Sequence, residues 1–132
     1  MQWSTDLVLG IESIDSQHKN IIERIQRLEI ALDSQATSVT YERMIEIYDF
    51  LGEYVVTHFR DEEEIMAEGG YPDLAVHKAM HRSFEEELAK LRDDLGHSGM
   101  MSHAAAQLVS YLSKWFTSHI QKEDPKYLPY VK

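Results

Sequence analysis

The chain contains no cysteine. Disulfide frameworks, thiolate-held zinc and iron–sulfur clusters are thereby excluded, and any metal must be held by imidazole nitrogen and carboxylate oxygen. Glycine and proline are scarce, at 6 and 3 of 132 residues, which leaves little to interrupt helices. No apolar run reaches the roughly 18 residues that a membrane-spanning helix needs, so no membrane insertion is expected. The opening MQWSTDLVLG lacks the basic start and apolar stretch of a secretion signal, and the expected location is cytoplasmic. Positive charge is also in deficit: 13 Lys and Arg against 23 Asp and Glu give a formal net charge of -10. Phosphate recognition needs clustered cations, so nucleic acid is not an expected partner.

What is present reads as one all-α domain spanning 1–132. Apolar residues recur with a period near 3.6 in four segments, roughly 15–33, 40–68, 73–95 and 102–121. The first carries Ile14, Ile21, Ile22, Ile25, Leu28 and Leu32 on one face, and the second Met44, Tyr48, Leu51, Val55, Phe59 and Ile65. Leu74, Phe84, Leu88 and Leu91 mark the third, and Leu108, Leu112, Trp115 and Phe116 the fourth. Gly69-Gly70 ends the second helix, and Ser102 is the expected N-cap of the fourth. Short connections imply an antiparallel up-down-up-down four-helix bundle. Residues 1–13 read as an extended N-terminal arm, and the apolar tail 124–132 is expected to dock.

Seven histidines stand in this short chain, and their direction is informative. At about 100° per residue, His18, His58, His77, His81 and His119 fall within the apolar stripes of their helices. His97, in a turn, and His103, turned away from His119, read as solvent-facing. One inward histidine is most often a satisfied core residue. Five from four helices would leave many ring nitrogens seeking partners, and a metal satisfies those lone pairs together. His77 and His81, four apart, can share one ion. Glu62, four residues after His58, also points inward, whereas Asp61 and Glu64 read as solvated charges. Asp124 stands five residues after His119, which misaligns it on a continuous α-helix. The residue before a proline avoids the α region, so Pro125 is expected to end the helix and let Asp124 swing back. Five imidazoles exceed the needs of one ion and suggest two metals bridged by carboxylates, with iron, zinc or manganese all compatible.

These residues resemble the hemerythrin family, and most closely its single-domain bacterial members. Ile14-Asp15-Ser16-Gln17-His18-Lys19 is similar to the family's first-helix motif. His58 through Met66 resembles HFxxEExxM, and His77-Lys78-Ala79-Met80-His81 resembles HxxxH. Trp115-Phe116-Thr117-Ser118-His119-Ile120, with Asp124 and the tail, resembles the final block. The resemblance implies two iron ions (Fe2+/Fe3+) with a bridging hydroxide or oxide, and dioxygen as the reversible ligand. It implies that His77, His81 and His119 take one iron and His18 and His58 the other, with Glu62 and Asp124 bridging. The protein would then bind oxygen for storage, transport or delivery and would not be an enzyme, with an oxygenase or an electron donor as partner. Phe116 is the candidate wall of the oxygen pocket, at a position where many relatives carry leucine.

Rival readings share parts of this inventory. Ferritin-like di-iron oxidases use Glu-x-x-His on two helices, and no Glu stands three residues before a His here. A zinc hydrolase would be expected to show His-Glu-x-x-His, which is missing. An oxygen or redox sensor, or a peroxidase-type enzyme, could be built on the same di-iron site.

Overall fold

Apolar stripes on successive helices have to be buried against one another, and the chain does so in four long helices. These are α1 (Glu12–Asp33), α2 (Tyr41–Gly69), α3 (Leu74–His97) and α4 (Met101–Ser118). The computed structural model describes residues 3–33, 41–97 and 101–131, with side chains described at 3–30, 46, 48–94 and 106–131. No strand occurs among the described residues, and none of their helices is long and apolar enough to cross a membrane. The main packing is α1 on α2, α2 on α3, α3 on α4 and α4 back on α1, the closed circuit of an antiparallel bundle. Helix α1 starts at Glu12, within the stretch read as an arm, and α4 starts at Met101, so Ser102 lies inside the helix and does not cap it.

The core residues come from the stripes. Ile14, Ile21, Ile22, Ile25, Leu28, Leu51, Val55, Phe59, Phe84, Leu88, Leu108, Leu112 and Phe116 are all buried, each worth about 1.5–3 kcal/mol of apolar burial. Tyr48, Ile65, Leu74, Leu91 and Trp115 are half-buried at the edges. Leu32 and Met44 lie outside the described side chains.

Two apolar clusters form. The larger fills the bundle and includes Ile21, Phe59, Phe84 and Phe116. The smaller closes one end, with Met66, Tyr71 and Tyr127 at its centre and Leu9, Ile11, Leu128 and Val131 against them. Along the chain, His18, Glu62, His77, His81 and His119 each stand between a member of one cluster and a member of the other. His18 separates Ile11 from Ile21, Glu62 separates Phe59 from Met66, His77 and His81 separate Tyr71 from Phe84, and His119 separates Phe116 from Tyr127. The bundle thus holds one polar layer between two dry ones.

Helix α2 ends as its glycines suggest. Gly70 takes a positive φ of 71°. The Tyr71 N–H donates to Met66 O at 3.0 Å and the Gly70 N–H to Ala67 O at 3.2 Å, the paired bonds of a Schellman stop with Met66 and Tyr71 in apolar contact. Gly69 serves the packing of the tail, because a Cβ there would run into the Tyr130 carbonyl. Gly69→Ala is therefore expected to destabilise the fold by about 1–3 kcal/mol through overpacking, measured by urea denaturation. A neutral result would mean that the tail does not bear on this helix.

Candidate metal centre

The polar layer consists of His18, His58, Glu62, His77, His81, His119 and Asp124. These seven are the complete set of buried polar residues among those described, and none is more than 4% exposed. All five imidazoles turn Nε2 towards the shared interior. The Nε2 atoms of His81 and His119 lie 3.2 Å apart, and those of His119 and His77 lie 3.0 Å apart.

The donors fall into two groups that share Glu62: Glu62, His77, His81 and His119 in one, and His18, His58 and Glu62 in the other. Each acid is divided between the groups. Glu62 Oε1 stands 3.2 Å from His77 Nε2 and 3.1 Å from His81 Nε2, while its Oε2 stands 3.7 Å from both His18 and His58. Asp124 Oδ1 stands 3.2 Å from His77 Nε2 and 3.0 Å from His119 Nε2, while its Oδ2 lies 3.3 Å from His18 Nε2. Two carboxylates thus span two nests of imidazole nitrogen.

Asp124 reaches this position by a route that differs from the sequence expectation. Its backbone stays helical, at φ -63° and ψ -40°, so Pro125 does not turn it out of the α region. Instead, His119–Glu123 is wound as a π-helix, and the Asp124 N–H donates to His119 O. One extra residue in the turn brings position i+5 back under position i, and such turns are rare and concentrate at functional sites. The chain then tightens into a 3-10 helix over Asp124–Tyr130, with Pro125 in its first turn, where a missing N–H costs little.

The residues present fit a pair of metal ions. Both nitrogens of His18 and both oxygens of Asp124 are buried without a hydrogen-bond partner, an arrangement costly enough to demand an explanation. Two ligands at right angles, each about 2.1 Å from one ion, sit about 3.0 Å apart, close to the spacing of the three clustered Nε2 atoms. The donor set is nitrogen and oxygen throughout, which suits iron, zinc or manganese.

Electrostatics point the same way. Burial disfavours the charged form of His18, but the facing carboxylates of Asp124 and Glu62 outweigh it and raise its pKa to about 9. His77 reaches about 9 for the same reasons. His58 is lowered to about 4, chiefly by burial. Burial opposes ionisation of Glu62 and Asp124, yet the histidines that face them hold both below the usual carboxylate range. The two raised histidines favour the fold fully below pH 6.5, and their contribution is lost as pH rises through about 9. His58 works oppositely and opposes the fold as pH falls from 6.5 towards 4. The metal-free protein is thus expected to be most stable near neutrality and to melt at progressively lower temperature between pH 6.5 and 9. A flat melting temperature across that range would contradict this balance.

Several residues around the layer escaped the sequence reading. The Tyr127 hydroxyl donates to Glu62 Oε2 at 3.1 Å, which explains why the tail is anchored. Asp15 accepts from the Leu9 and Gly10 N–H groups at 2.8 and 3.0 Å and pins the arm. Asp61, read as a solvated charge, is half-buried and accepts from Gln17 Nε2 at 2.8 Å. Gln17 Oε1 meets His58 Nδ1 at 2.7 Å, and Glu63 Oε2 meets His81 Nδ1 at 2.8 Å. Phe59 stacks on His81 with centroids 3.8 Å apart, and Trp115 on His119 at 4.3 Å. The helical wheel places Gln17, Asp61 and Glu63 beside the buried stripes, a signal that becomes legible only once interhelical distances are known. Phe116 is buried in the larger cluster with its ring against Phe59, Phe84 and Trp115. The side chains of His97 and His103 lie outside the described residues.

Comparison with known proteins agrees with this construction. The family model described as the Hemerythrin HHE cation binding domain matches residues 9–131. A bacteriohemerythrin of Stenotrophomonas maltophilia is 36% identical over 132 residues, covering 98% of this chain and 80% of that protein. A myohemerythrin of Theromyzon tessulatum is 29% identical, covering 96% of this chain and 89% of the relative. A solved wild-type hemerythrin structure superposes with a TM-score of 0.77 at 30% identity, covering 98% of this chain and 95% of that one.

Proposed function

Because the chain belongs to the hemerythrin family, we propose that it binds dioxygen reversibly at a pair of non-haem iron ions and does not turn over a substrate. The observation that carries this reading is the division of each buried carboxylate between two histidine groups. A single-metal site has no use for such a division.

In this assignment His77, His81 and His119 would hold one iron and His18 and His58 the other, with Glu62 and Asp124 shared between them. A hydroxide or oxide would be the remaining ligand of the pair. The pair supplies, when bound, the two-electron chemistry on which taking up and giving back dioxygen depends. The chain contributes an asymmetry: three imidazoles would serve one half and two the other, so an outside ligand would have room on the His18 and His58 side. Tyr127 steadies Glu62 through its hydroxyl, and the apolar clusters above and below exclude water. Exclusion of water disfavours charge separation and hence loss of the reduced state.

Phe116 contributes bulk to the dry side of the layer. Phe116→Leu is expected to leave iron loading intact, to cost about 1 kcal/mol of stability and to speed dioxygen release, as read by stopped-flow displacement. An unchanged release rate would make Phe116 plain core.

The decisive experiment reduces the iron-loaded protein without air, admits oxygen and then purges it, through several cycles. A visible charge-transfer band that comes and goes with oxygen is the expected result. Irreversible bleaching, or consumption of oxygen without its return, would replace binding by an oxidase or peroxidase reading.

A further inference from the structure

His58 and His81 differ from His18 in having a side chain behind the ring. Glu63 Oε2 lies 2.8 Å from His81 Nδ1, and a carboxylate can only accept, so Nδ1 carries the hydrogen and Nε2 presents its lone pair inward. The case of His58 is settled one step further out. Asp61 can only accept, so Gln17 turns its amide nitrogen towards Asp61 Oδ2 at 2.8 Å. Its amide oxygen is then left for His58 Nδ1 at 2.7 Å, and that nitrogen must be the donor. His18 Nδ1 has no such partner. The two backed rings therefore belong to different halves of the layer, and the groups behind them differ in charge: an anion behind His81, a neutral amide behind His58.

We propose that Glu63 and Gln17 are positioning residues that fix the His81 and His58 tautomers, and that the carboxylate–amide difference makes the two metal positions electronically unequal. The inference rests on the two-metal reading above. A carboxylate behind an imidazole raises its basicity as a ligand, and groups in this position typically change metal affinity 10–100-fold. His81 should accordingly be the stronger donor of the two, favouring the oxidised metal in the three-histidine half. Glu63 is 16% exposed, so its replacement opens no deep cavity and leaves the apolar clusters in place.

The test uses zinc as a redox-silent probe and iron for the potential. In zinc-loaded wild-type protein, nitrogen-15 NMR is expected to show hydrogen on Nδ1 of both His58 and His81. Glu63→Ala is expected to weaken zinc binding roughly 10–100-fold in a competition assay. Glu63→Gln should recover most of that affinity, because an acceptor remains, while raising the midpoint potential of the iron-loaded protein, because the charge is gone. Gln17→Leu should weaken zinc binding without the change of potential given by Glu63→Gln. Wild-type affinity in Glu63→Ala, or an unchanged potential in Glu63→Gln, would overturn the proposal while leaving the two-metal reading intact; hydrogen on Nε2 of either ring in wild type would overturn both. Failure of wild-type protein to take up zinc or iron would instead sink the two-metal reading itself.

Discussion

Glu62→Ala is expected to abolish loading of both metal ions, not of one. Glu62 is the donor common to both groups, with one oxygen facing His77 and His81 and the other facing His18 and His58. Its removal strips a ligand from each position and removes one of the two spans between them. The metal-free state suffers as well. Glu62 is one of two anions that hold His18 and His77 protonated, and breaking a buried ion pair from one side costs about 3–5 kcal/mol. Iron per chain by elemental analysis should fall from two to well below one, and the urea midpoint of the apoprotein should drop. Glu64→Ala, two residues on and exposed, should stay within about 0.5 kcal/mol and load normally. Full loading of Glu62→Ala would contradict the shared role.

Removal of the metals should produce the second large effect. The seven donors come from α1, α2, α3 and the turns that continue α4, so ions at the centre would tie the long elements of the fold together. A ligand that binds only the folded state stabilises it by about 4 kcal/mol at a thousandfold excess over its Kd. For a domain of this size that corresponds to a rise of roughly 10–20 °C in melting temperature. Calorimetry of loaded and chelator-stripped protein at pH 7 measures it. Loading should also release protons, because His18 and His77 carry them near neutrality in the metal-free centre and coordination requires the neutral ring. Equal melting temperatures would mean that the layer holds nothing.

Much of this architecture is legible in the sequence because one physical pattern serves two purposes. The 3.6-residue period that identifies a helix also fixes the direction of each side chain, so the stripe of Ile14, Ile21 and Ile25 both predicts α1 and aims His18 inward. The same holds for His58 with Glu62 and for His77 with His81, pairs one α-turn apart. Reading fails where the backbone leaves that period. Local preference before a proline suggests an extended Asp124 that swings back to the centre, whereas the structure keeps this residue helical and brings it inward by a wider turn. Reading fails again where meaning depends on a neighbouring helix. Asp61 and Glu63 flank the inward Glu62 in a run of acids, and only the approach of α1 and α3 to α2 gives them Gln17 and His81 as partners.

The π-wound segment at His119–Glu123 bears on how such centres are recognised in other chains. An α-turn aligns a histidine with an acid four places later, and a turn one residue wider aligns it with an acid five places later. His-x3-Asp and His-x4-Asp are therefore two spellings of one arrangement, and a motif search that insists on α spacing would discard this chain's Asp124. Relatives that differ by a single insertion here can keep the same chemistry, with the mismatch absorbed in the winding of the backbone and the ligand left where it was.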